Sequence, residues 1–162
     1  IGVLVLDIAS KNLTQFYFSP YGYASHTYPF GGISVFQFLG IDFCIHHVTN
    51  HGAAWGIGSS WQNLLLIARI AVVFSLGGYL WFSKKAFSKR YGLTLIVTGG
   101  LGNIIDYFIY GHVIDMFHFI FWGYSYPVFN VADISIFFGI VSLLWKSKHE
   151  TASQVQNAAT QN

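Results

Sequence analysis

Charge is what this sequence has least of. Of its 162 residues, 8 are Lys or Arg and 6 are Asp or Glu, 9% in all, against about 25% in ordinary soluble domains. That excludes a charged, water-covered globular surface, a charge-rich disordered chain and a nucleic-acid-binding domain with a basic face. Cysteine is down to one, Cys44, which excludes an intrachain disulfide and any multi-cysteine zinc or iron–sulfur centre. The one methionine is Met116 and the chain begins at Ile1, so further residues are expected ahead of Ile1. What fills the space is apolar. Hydrophobic residues make up 54% and aromatics 19%, and the mean hydropathy is +0.51. The composition is that of an integral membrane protein.

A bilayer core takes about 20 apolar residues per helix. Four stretches come close: about 1–18, 64–82, 93–110 and 128–145. Asp7 and Lys11 interrupt the first, where a cleaved signal peptide would be purely apolar. Lys84, Lys85, Lys89 and Arg90 follow the second stretch, and Lys146 and Lys148 follow the fourth. Basic loops stay cytoplasmic, so both termini are expected inside and segments 19–63 and 111–127 outside. Trp61, Trp81 and Trp145 sit near span ends, as interfacial aromatics do. Segment 19–63 is too long for a bare loop. Within it, Ile41, Phe43 and Ile45 alternate with Asp42, Cys44 and His46, a half-buried strand pattern. The fold class expected is a membrane all-α four-helix bundle with a small periplasmic β-sheet (β-cradle) subdomain. It is read as one domain over 1–148 with a polar, disordered cytoplasmic tail over 149–162.

Ionisable groups inside spans are costly and default to function. Here they are Asp7, Lys11, Arg69, Asp106 and Asp133, with Asp115 just beyond the third span. Asp7 and Lys11, four apart, share a helix face; they read either as a buried structural pair or as part of a site. Asp115 and Asp133 flank an outward loop, so both carboxylates reach similar depth in the outer leaflet. Two facing carboxylates cannot both ionise easily, so one keeps a proton and the pair titrates together. The charged one activates a water while the protonated one donates to a carbonyl, which is aspartic-protease chemistry. A proton or ion relay through Asp7, Asp106 and Asp133 in a small transporter uses the same residue types, as does a non-catalytic membrane scaffold.

Five local blocks bear on that choice: LDIASK (Leu6 to Lys11), VTNHGAAWGI (Val48 to Ile57), GGLGNIIDY (Gly99 to Tyr107), VID (Val113 to Asp115) and PVFNVADISI (Pro127 to Ile136). In this order and at these places they resemble the lipoprotein signal peptidases, or signal peptidase II. The resemblance implies catalytic Asp115 and Asp133. It implies substrate-binding or supporting roles for Asn50, Gly52, Ala53, Asn103, Asp106, Asn130, Asp7 and Lys11. It further implies cleavage of bacterial prolipoproteins before a diacylglyceryl-modified cysteine, without metal or cofactor. The expected location is the cytoplasmic (inner) membrane, with membrane lipids as neighbours and the active site at the outer leaflet. Sensitivity to globomycin-type inhibitors and a monomeric state are expected, and no nucleic-acid partner.

Residue by residue, Asn50 ends a strand and its amide is placed to hold a peptide carbonyl, while Gly52-Ala53-Ala54 is either a tight turn or a site of close backbone approach. Asn130 and Asp133, like Asn103 and Asp106, stand three apart on one helix face. Gly99, Gly100 and Gly102 suit close helix packing. Tyr107 stands where the family has Arg, and Arg69 either stands in for that charge or snorkels to headgroups. His51 and Trp55 also depart from the pattern. Five outer histidines (His46, His47, His51, His112 and His118) raise the question of zinc. There is no H-E-x-x-H motif, however, and adjacent His46 and His47 should point to opposite faces of a strand, so no metal site is expected.

Overall fold

The computed structural model describes residues 1–20, 25–52, 61–82 and 87–159, with the backbone alone at 87–89 and 146–159. The elements run α1 (Gly2–Tyr17), β1 (Ile33–Phe38), β2 (Ile41–Asn50), α2 (Gln62–Phe82), α3 (Phe87–Tyr110), β3 (Val113–Phe121), β4 (Tyr124–Ser125) and α4 (Val131–Ala159). α3 is the hub of the helices: it packs on α1, α2 and α4.

The burial is inverted relative to a water-soluble protein. Asp7, Lys11, Asn103, Asp106 and Asn130 are buried, while Phe16, Leu64, Ile67, Phe74, Trp81 and Phe137 face outward. Apolar surface on this scale needs an apolar surrounding. α2 and the Arg90–Tyr110 part of α3, 21 residues each, are long and apolar enough to cross a membrane. α1 has 16 residues, about 24 Å at 1.5 Å per residue, and the apolar part of α4 is Val131–Trp145. The helices approach closely where side chains are missing. A Cβ at Gly99 would collide with the Ala132 carbonyl on α4, and one at Gly102 with the Asp7 carboxylate on α1.

Three expectations need correction. Segment 111–127 is not a plain loop: β3 is an inner strand of an antiparallel sheet ordered β1-β2-β3-β4. Its run Val113 to Phe121 is β-branched and aromatic enough to have said so. The fourth helix starts at Val131 rather than 128, because residues 126–129 run back along β3: Phe129 exchanges backbone hydrogen bonds with Phe117. The tail does not open at 149, since α4 stays helical to Ala159; its Lys, Glu, Gln and Ala are good helix formers. Lys84, Lys85, Ala53, Ala54, Trp55 and residues 160–162 lie outside the described residues.

Candidate active site

The chemistry gathers where the sheet meets the helices. β2 and β3 pair in register from Ile41↔Phe121 to Asn50↔Val113, with a shift between Ile45 and Val48. Across that shift His46 and His47 stand opposite Met116 alone, a β-bulge, and both histidines are buried. The bulge sets Val48 opposite Asp115 and brings Asn50, two residues on, within reach of it.

Asp115 is 2% exposed. Its Oδ2 accepts from Asn50 Nδ2 at 2.8 Å and its Oδ1 from Asn130 Nδ2 at 2.6 Å. Asn130 is the residue before α4, and its side-chain oxygen accepts the Asp133 N–H at 2.9 Å, while Asp133 Oδ2 accepts the Asn130 N–H at 3.2 Å. This is a reciprocal capping box, here with Asp at the third helical position. It ties one carboxylate to the start of the helix. Asn103 Nδ2 donates to Asp133 Oδ1 at 2.9 Å, and Asn103 Oδ1 accepts from Asn130 Nδ2 at 3.1 Å. The two carboxylates are thus joined through two amides, Asp115–Asn130–Asn103–Asp133. Burial, then the neighbouring Asp133 charge, push the Asp115 carboxyl up to about 7, against the pull of the Asn50 and Asn130 donors.

Both aspartates line a cleft of about 440 Å³. Asn50, Arg69, Asn103 and Tyr126 bring further polar groups, while Val113, Phe129, Ile134, Phe137 and Phe138 give it an apolar wall. The donors facing the carboxylates are amides and backbone N–H groups.

A second cluster lies beside the first. Lys11 Nζ sits 2.7 Å from Asp7 Oδ2 and 2.7 Å from Asp106 Oδ2, and donates to Asn103 Oδ1 at 3.0 Å. Asp7 Oδ1 accepts the Ala132 N–H at 2.8 Å and Asp106 Oδ2 the Ile114 N–H at 3.2 Å. Each carboxylate therefore anchors the backbone next to a cleft residue: the first turn of α4 and the start of β3.

A family model for signal peptidase (SPase) II matches residues 1–148. The chain belongs to the signal peptidase II family. The lipoprotein signal peptidase of Chlamydia pneumoniae is 38% identical over 106 residues, covering 64% of this chain and 63% of that protein. The lipoprotein signal peptidase of Wigglesworthia glossinidia brevipalpis is 33% identical over 122 residues, 74% and 77% of the two chains. The chain thus spans just under two thirds of the Chlamydia pneumoniae relative. A bacterial membrane enzyme solved by the in meso method at 2.3 Å is similar with a TM-score of 0.72 and 26% identity, over 93% of this chain and 85% of that one.

Within the signal peptidase II family, this chain's departures now have positions. Asn50 gives one Nδ2 hydrogen to Asp115, and its Oδ1 accepts the Gly52 N–H at 2.9 Å. Arg69 does not reach away to headgroups; it donates to the Gly52 carbonyl at 2.6 Å and borders the cleft. Tyr107, in the usual Arg position, donates to Asn63 on α2 at 2.9 Å. Sequence reasoning missed the bridging amide of Asn130, whose partner is on another element and carries no local signal.

Proposed function

We propose that this chain is an intramembrane aspartic endopeptidase. It removes signal peptides from diacylglyceryl-modified prolipoproteins in the bacterial cytoplasmic membrane, cutting before the lipidated cysteine. Four helices span the bilayer with both termini inside, and the sheet lies at the outer face. The observation that carries this reading is the amide-bridged pair Asp115–Asn130–Asn103–Asp133 on the wall of a half-apolar cleft.

The pair shares one proton, which burial holds on the Asp115 side. The charged carboxylate takes a proton from an attacking water as its oxygen bonds the scissile carbonyl carbon. The protonated carboxyl gives its proton to the carbonyl oxygen. Collapse of the tetrahedral intermediate breaks the C–N bond: the proton taken from water passes to the leaving cysteine nitrogen, and a hydroxyl of the intermediate returns a proton to the carboxylate that gave one. Asn103 and Asn130 donate without titrating, so they hold geometry through the cycle. The wall of Phe129, Phe137 and Phe138 suits the apolar flank of a signal peptide and an acyl chain.

The test is cleavage of a diacylglyceryl-modified prolipoprotein by the detergent-purified chain, beside Asp115→Asn and Asp133→Asn. Cleavage before the lipidated cysteine by the parent alone supports the reading. Equal cleavage by either variant would sink the aspartic assignment, and an inactive but folded parent would favour a transport or scaffold role.

A further inference from the structure

Away from the cleft, β2 and β3 carry another cluster. Cys44 and His46 are two apart on β2 and so share a face, and Cys44 pairs directly with His118 on β3. All three are buried, at 0%, 2% and 5% exposure. One ligand atom from each lies within 4.8 Å of the others, and His46 Nε2 and His118 Nδ1 are 3.1 Å apart. Phe30 lies against both imidazoles in tilted contact, with ring centroids at 5.1 and 5.3 Å. Ser125 Oγ holds His118 Nε2 at 2.8 Å, fixing the ring with Nδ1 towards His46. An outer hydrogen bond of this kind commonly orients a metal-binding histidine.

We propose that Cys44, His46 and His118 form a binding site for a thiophilic transition-metal ion, with Zn(II) as its reference occupant. One thiolate and two neutral imidazoles are a borderline-soft donor set. Zinc bond lengths of about 2.0–2.3 Å place tetrahedral ligands about 3.3–3.6 Å apart. The triangle therefore closes by about 1.2 Å at most from the 4.8 Å limit, within reach of side-chain rotation. A water completes the shell, while Ser125 stays on the far nitrogen of His118. Burial brings His46 down to about 4, so its ring is neutral, the form that ligates. Burial, then Asp42, push the Cys44 thiol up to about 11. The ion must therefore displace that proton to solvent as the metal–sulfur bond forms. The histidine count alone suggests zinc only weakly; the cross-strand pairing with Cys44 makes the site specific. Its effect is to clip β2 to β3, the strands that carry Asn50 and Asp115.

The test uses the whole chain in detergent, without a polyhistidine tag. Zn(II) is titrated against a chromophoric chelator, and Co(II) is added separately. One equivalent of tight zinc is expected, with a thiolate-to-cobalt charge-transfer band and a rise in melting temperature. Cys44→Ser abolishes the band and weakens zinc binding by at least about tenfold, while retaining prolipoprotein cleavage as a sign of folding. His118→Ala weakens zinc likewise. His112→Ala, from the separate His51–His112 pair, leaves it unchanged. Absence of the cobalt band in the parent overturns the proposal, as does zinc uptake that follows His112 instead of Cys44. Metal uptake is read independently of cleavage, so its failure leaves the peptidase reading untouched.

Discussion

Two buried acid pairs sit side by side in this protein, and they solve the same electrostatic problem differently. Asp7 and Asp106 have Lys11 between them, 2.7 Å from each. Asp115 and Asp133 have only amides between them, those of Asn103 and Asn130. A cation neutralises its partners and leaves them fixed; its strength lies in holding α1, the start of β3 and the first turn of α4 together. Amides fix geometry but cancel no charge, so one member of the pair must keep a proton. The first arrangement is a clamp, and the second is the one proposed above as a proton-transfer device. The difference is made by one residue type at the centre of each.

Breaking the second pair should cost the most activity. Asp115→Asn or Asp133→Asn is expected to lower the cleavage rate by about 10²–10⁴-fold, the range for loss of a positioned acid or base. The melting temperature should hold or rise, because the cost of burying an ionisable carboxyl has gone. A parallel loss of folding would place these residues in the clamp instead. Breaking the first pair should do the reverse. Lys11→Met leaves two carboxylates buried without their cation and should destabilise by about 3–5 kcal/mol, read as lost yield and a lowered melting temperature. Lys11→Met with Asp106→Asn should regain part of that stability. If the single variant melts like the parent, the clamp is not one.

A subtler change acts on the proton itself. The Asp115 carboxyl is raised above its ordinary range, so it keeps its proton until pH passes about 7 and loses it above. Cleavage should therefore fall as pH rises through that value, and the stability gained from burying the neutral acid should fade over the same window. Asn50 donates to Oδ2 and favours the charged form. Asn50→Leu should move the alkaline limb of the rate profile to higher pH while lowering the plateau. A limb that moves down, or stays, would mean that the amide does not set the proton affinity of this carboxyl.

The sequence made some of this legible and hid the rest for physical reasons. The buried acids were visible because an ionisable residue in an apolar run is costly to keep. The β2 strand was visible through alternation. β3 showed its β-branched and aromatic composition but no simple alternation, because Asp115 and His118 fall on opposite faces of the strand. The bridge through Asn130 was hidden because its partners lie 15 and 27 residues away on other elements. The rule that strand neighbours point to opposite faces was applied to His46 and His47 alone. That rule had argued against metal, yet the relevant neighbour of His46 is His118, across the sheet.

Arg69 offers the smallest effect and the sharpest distinction, because it is a cation at the amide-bridged pair that does not sit between the acids. It donates to the Gly52 carbonyl, and Gly52 in turn donates to Asn50, whose other end holds Asp115. It therefore acts on the turn at the cleft edge, and the charges acting on Asp115 are those of Asp133 and Lys11. Arg69→Gln removes one charge-assisted hydrogen bond at a half-buried site, about 1 kcal/mol or about fivefold in rate after solvent screening. The loss should fall on KM, with kcat and the alkaline limb unmoved, and Arg69→Lys should recover part of it. If kcat and the limb shift instead, Arg69 supplies the charge that the usual Arg gives at the position of Tyr107. If nothing changes, its contact with Gly52 is incidental and Asn50 is held by β2 alone.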